Sequence, residues 1–125
     1  MLFYRFDSQE ERRRVGGSCF LELQNLPAGA PPQEQPADIR HWQDDSLYAA
    51  DENEFYRLYG AIFTGGRYPN GESGAVDICG INYYDEAARQ RILTRLSAEQ
   101  PPEYEILAAW LRQGEGGSGF VLLGI

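Results

Sequence analysis

The sequence predicts an α+β fold: a single compact domain, residues 1–125, with a sheet of about four or five strands packed against about three helices. Three observations predict it. Apolar residues alternate with a period of two in runs near both ends of the chain, and they recur at helical spacing in three internal segments. The resulting order, β-β-loop-α-β-α-α-β, lacks the strict alternation of a doubly wound sheet. The 125 residues are the length of one ordinary domain, and 42% hydrophobic residues, with two Trp, eight Tyr and six Phe, supply a core.

Taken in order, LFYRF (residues 2–6) reads as a first strand with at least one buried face. Asp7 and Glu10 have capping-box spacing, but no apolar stripe follows, so a helical turn and an irregular hairpin connection both fit. Residues 15–24 form the second strand, with Cys19, Leu21 and Leu23 alternating against Phe20, Glu22 and Gln24. Four prolines and Gly29 between Leu26 and Pro36 impose a loop, of a length that is often functional in compact domains. Asp51 and Glu54 repeat the capping box, and Phe55, Leu58, Tyr59, Ile62 and Phe63 continue it as an amphipathic helix of about three turns.

Asn70-Gly71 marks a turn. AVDICGINYY (residues 75–84) then reads as a central strand, apolar on both faces, with Gly80 at a bulge or a close approach. Asp85 caps a helix whose buried stripe is Ala88, Ile92, Leu93 and Leu96, leaving Arg89, Arg91 and Arg95 outward. Pro101 and Pro102 force a stop before a last helix bearing Tyr104, Leu107, Ala108 and Leu111 on one face, with Ile106 and Trp110 beside it. GFVLLGI closes the chain as a strand.

The net charge of −8 is unevenly placed. Seven carboxylates against Arg40 between Leu26 and Tyr56 hold six of the eight net negative charges. Such a field repels nucleic acid and anionic membranes and attracts basic partners. No window approaches the ~18 apolar residues that cross a bilayer, and the charged N-terminal stretch reverses the order of a signal peptide. Cys19 and Cys79 make no disulfide framework. These features point to a cytoplasmic protein with both thiols reduced and buried in strands.

Catalytic chemistry is sparse. The single histidine, His41, lies near Asp38, Asp44 and Asp45 in a spacing that matches no metal motif. Asp77 and Cys79 share a strand face by alternation, without a base beside the thiol. GGRYPNGESG lacks the lysine and glycine spacing of a phosphate-binding loop. No enzyme activity, metal or cofactor is expected. What remains is HWQDDSLYAADENEFY (residues 41–56), in which Trp42 and Tyr48 offer anchors and Asp44, Asp45, Asp51, Glu52 and Glu54 offer steering and pairing to a basic surface. Asp51, Glu52 and Glu54 equally suit a solvated helix N-terminus, which leaves Asp44 and Asp45 unexplained.

This localised acidity without catalytic residues, in a compact domain ending VDICGINYYDE...GFVLLGI, resembles the small acidic immunity proteins of bacterial polymorphic-toxin and contact-dependent inhibition systems. The resemblance implies a cytoplasmic protein that binds and blocks a cognate toxin domain, often a nuclease with a basic cleft. It carries over no binding residue. The competing expectations are a small enzyme or ligand-binding domain with a pocket near the proline-rich loop, and an inhibitor that mimics nucleic acid.

Overall fold

The computed structural model describes residues 1–6, 8–15, 20–29 and 43–124. Cys19, His41, Trp42, Asp38 and most of the proline-rich stretch lie outside the described residues. The elements are β1 (Phe3–Tyr4), α1 (Gln9–Val15), β2 (Leu21–Asn25), β3 (Leu47–Ala49), α2 (Glu52–Tyr59), β4 (Gly66–Arg67), β5 (Ser73–Gly74), β6 (Ile81–Tyr84), α3 (Glu86–Glu99), α4 (Tyr104–Gln113) and β7 (Phe120–Leu123). The strands form one antiparallel sheet in the order β1-β3-β2-β7-β6-β4-β5. The fold is α+β. Its sheet has more strands than expected because four strands, β1, β3, β4 and β5, have only two or three residues, below the length at which alternation shows.

The C-terminal strand β7 sits at the centre, between β2 and β6. Leu23, Leu122, Phe120 and Tyr84 face α2, α3 and α4, whose Phe55, Tyr59, Ile92, Leu96, Leu107 and Trp110 complete the main core. The opposite face is also buried. Direct cross-strand partners Tyr4, Tyr48, Glu22, Leu123 and Ile81 make one row across it. No residue of α2, α3 or α4 belongs to the two apolar clusters on that side.

Several local expectations give way to specific competitors. Ser8 is placed to cap α1, its Oγ accepting from the Glu11 N–H at 3.1 Å, and Asp7, expected to open the capping box, lies outside the described residues. Segment 47–49, read as part of an acidic surface, is instead a strand between β1 and β2. The stretch 75–80 is not strand. Asp77 folds it into a turn: Oδ1 accepts from Cys79 N–H at 3.0 Å, and buried Asn82 pairs with both Asp77 backbone groups at 2.8 and 2.9 Å. Side chains that bond their own backbone in this way outcompete the ladder. The close approach expected at Gly80 is real, but the Asp77 carboxylate makes it, inside the turn. Cys79 is consequently exposed rather than buried. In the native protein its thiol should react with a maleimide at the rate of a free cysteine, and strong protection would show the turn to be wrong.

Arg89 reverses its expected place. It is 0% exposed, and its guanidinium reaches Glu86 Oε1 at 3.0 Å, Asn25 Oδ1 at 2.8 Å and the carbonyls of Leu111 and Gly119 at 2.7 and 2.9 Å. It also lies 5.3 Å from the centroid of the Phe120 ring. One side chain thus ties α3 to β2, α4 and the entry to β7. At that entry Gly119 has φ +104°, and a Cβ would collide with the Tyr84 carbonyl.

Tyr59 and Tyr84 are buried, and their hydroxyls donate to the carbonyls of Pro102 and Phe63. Burial raises both well above the ordinary tyrosine range, and Glu103 and Glu105 raise Tyr59 further. A tyrosine held neutral in the fold adds stability that is complete below its unfolded pKa of about 10 and is lost as pH rises above it. Alkaline unfolding should therefore begin near pH 10, with tyrosinate absorbance appearing together with loss of circular dichroism. Tyrosinate appearing for all tyrosines while the fold persists would contradict this.

Candidate partner-binding surface

Asp51 is the N-cap of α2, its Oδ1 accepting from the N–H groups of Asn53 and Glu54 at 3.0 Å each. Its carboxylate remains exposed. Glu54 is ion-paired with Arg57, which offsets its charge. Glu52 is half-buried and lies one turn from Tyr56, so the two share a helix face. Asp44 and Asp45 are exposed on the turn before β3, held there by Gln43 and Ser46 and by Trp110, whose Nε1–H donates to the Asp45 carbonyl at 2.6 Å.

The acidic run is therefore not one surface. β3 separates its halves: Asp44 and Asp45 lie on the turn before it, and Asp51 follows it as the α2 N-cap. Tyr48 is not an anchor. It is 2% exposed, packed against Phe6 and Phe20 with ring centroids 5.1 and 6.2 Å away, because its register opposite Glu22 points it into the second sheet face. Trp42 lies outside the described residues.

Tertiary contacts bring other groups to Asp51 and Glu52. The Leu2 carbonyl accepts from Ala50 N–H at 2.8 Å, and the Leu2 N–H donates to both Glu103 oxygens at 3.0 and 2.8 Å. Tyr59 joins α2 to Pro102, and Glu105 follows at the start of α4. Among the described residues, the exposed large hydrophobics are Met1, Tyr56 and Ile106, at 75%, 45% and 38%. Met1 adjoins Leu2, Ile106 adjoins Glu105, and Tyr56 stands above Glu52. Tyr56 also borders an open cleft with Gly60, Ala61, Thr64 and Ala75. Glu103 and Glu105 were illegible as site residues in sequence, since they lie some fifty positions from Glu52 and read only as a helix start.

Asp44's neighbour Asp45 borders a second feature, an open cleft of about 470 Å³ lined by Leu26, Pro27, Ala28, Gln113 and Glu115. It adjoins the start of the proline-rich loop. Its described walls hold no histidine or cysteine. Among the described residues, no group of three or more potential ligands could hold a metal, and no helix is long and apolar enough to cross a membrane. Comparison of the chain with protein-family models, curated proteins and solved structures returns no match.

Proposed function

We propose that this chain is a cytoplasmic immunity protein that binds and neutralises a basic toxin domain, possessing no catalytic activity of its own. The observation that supports this reading is that the Leu2–Glu103, Leu2–Ala50 and Tyr59–Pro102 contacts bring the chain bearing Glu103 and Glu105 beside α2, whose start carries Asp51 and Glu52. Apolar anchors supply binding energy when desolvated, and the surrounding acids steer and pair with arginine or lysine. A nuclease cleft, built to hold phosphates, presents the complementary charge.

The test is affinity capture from the source cells with the wild-type chain and with a Tyr56→Ala/Glu105→Arg variant. The expected result is a basic protein held at 1:1 by the wild type and lost by the variant, toxic when produced alone and harmless when this chain is co-produced. A captured protein that is not toxic, or capture indifferent to the variant, would overturn the reading. The cleft beside Asp45 favours a second reading, a ligand-binding domain, whose signature would be a small molecule that competes at Asp45 and leaves Tyr56 variants unaffected.

A further inference from the structure

The turn at Asn70-Gly71 joins β4 to β5, the outermost strand of the sheet. Both residues are exposed. Gly71 has φ +88°, and nothing stands within 4 Å of the place a Cβ would occupy there. The Asn70 side chain folds back along the chain, its Oδ1 accepting from the Glu72 N–H at 2.9 Å. Such a turn lays the side-chain amide over the Gly71 peptide nitrogen. It also places a donor on the oxygen that takes up negative charge when that nitrogen attacks Cγ. The restraint on the attack is the Gly71 N–H, which donates to the Tyr68 carbonyl at 2.9 Å. That bond closes a hairpin whose strands have two residues each, so its opening is a local event of low cost.

The other asparagines lack this combination. Asn25 is followed by Leu26, whose N–H donates to the Gly119 carbonyl at 2.9 Å, and its own Oδ1 accepts from Arg89 at 2.8 Å. Asn53 lies in α2, and the next N–H, that of Glu54, is held by the Asp51 carboxylate at 3.0 Å. Asn82 is buried, with its amide bonded to the Asp77 backbone and the Leu122 carbonyl. Each of these three is also followed by a residue whose Cβ crowds the attacking nitrogen, which glycine does not.

We propose that Asn70 is a site of spontaneous modification in the folded protein, closing on the Gly71 nitrogen to a cyclic imide and reopening as aspartate and isoaspartate. The Gly71 N–H gives its proton to base, and a bond forms between that nitrogen and Asn70 Cγ. The Cγ–Nδ2 bond breaks, and Nδ2 leaves as ammonia with a proton from water. Water then adds to one of the two ring carbonyls. Addition at Cγ opens the ring to aspartate. Addition at the main-chain carbonyl opens it to isoaspartate, in which the chain runs on through the former side chain. One water is consumed and one ammonia released, with no oxidant or reductant. Either product puts a new carboxylate in the turn beside Glu72, whose Oε2 stands 3.5 Å from Asn70 Nδ2. Isoaspartate also lengthens the main chain by one carbon and turns the oxygen that holds the Glu72 N–H into a main-chain carbonyl. The pairing of β4 with β5 then loosens, while that of β6 with β7 is untouched. This site is independent of what the acidic residues bind.

The experiment holds the full folded chain at a neutral and at a mildly alkaline pH and maps its peptides by mass spectrometry over time. The mass change of one amide becoming one acid should be confined to the peptide containing Asn70. Isoaspartate and aspartate should both be present, and both should form faster at the higher pH. Asn70→Gln, which cannot close the five-membered ring, should slow the change at that position by about tenfold or more. In the aged chain the Tyr68 and Gly71 amides should exchange hydrogen faster, with the Phe120–Leu123 amides unchanged. Conversion first at Asn25, Asn53 or Asn82 would overturn the assignment. So would aspartate without isoaspartate, or an Asn70 still intact in the folded chain when the same chain in urea has converted there fully. Unchanged exchange at Tyr68 and Gly71 would overturn the loosening of the hairpin.

Discussion

Arg89→Ala should destabilise the protein by about 3–4 kcal/mol, the largest effect of any single charged residue. Removing one member of a buried ion pair costs about 3–5 kcal/mol because the partner and its neighbours are left desolvated. The lower part of that range applies for two reasons. Leu111 and Gly119 carbonyls each keep a second donor, the N–H groups of Gly114 and Leu26 at 3.2 and 2.9 Å. Glu86 is 32% exposed at its side chain and can recover some hydration. Asn25 Oδ1 and the space vacated beside Phe120 account for the remainder. Against a total stability of about 5–15 kcal/mol, such a loss brings unfolding close to ambient conditions.

Arg89→Lys should recover less than half of the loss, since one ammonium cannot reach Glu86, Asn25 and two carbonyls at once. Glu86→Gln should cost less than Arg89→Ala, because Glu86 retains contact with water. Urea unfolding at constant m-value measures all three. A loss below about 1 kcal/mol for Arg89→Ala would mean that water can substitute for the guanidinium, and the buried network would then hold little of the fold together.

The second large effect is on partner binding. The double reversal Glu52→Arg/Glu105→Arg should slow association by about tenfold or more and flatten its salt dependence, since charges around an interface act mainly on encounter. Tyr56→Ala should cost about 2 kcal/mol or more through faster dissociation if its ring is a central anchor. Asp44→Arg/Asp45→Arg makes the same change in net charge on the turn before β3. Charges that do not rim the interface steer association less, so its effect should be smaller. A larger effect from Asp44 and Asp45 would move the interface to the turn beside Trp42. Circular dichroism of each variant separates these outcomes from misfolding.

Much of the architecture is legible along the chain because its signals are local. Asp51 and Asp85 cap the helices they were expected to cap, since a carboxylate two or three residues from an unpaired N–H needs no distant partner. Pro101 and Pro102 separate α3 from α4 for an equally local reason. The stripe Ala88, Ile92, Leu93 and Leu96 is buried as its helical spacing requires. The candidate site was legible only in part. Asp51 and Glu52 begin α2, Tyr48 is core, Glu54 is tied to Arg57, and Asp44 and Asp45 lie exposed on the turn before β3.

By itself, then, the sequence determined the α+β class, the helical faces and caps, and the local excess of acid, all of which act over one or two turns of chain. Tertiary structure alone decided that Leu47–Ala49 would be a strand, that Arg89 would be buried, and that Glu103 would reach Leu2. Three residues carry too little alternation to declare a strand; pairing with β1 and β2 supplies what local propensity cannot. Arg89 reads as a surface residue because its 3.6-residue period places it beside the apolar stripe. Its burial depends on Asn25, Leu111 and Gly119, which are 64, 22 and 30 positions away. A charge can leave water only where such partners converge, and that convergence is a property of the packed molecule.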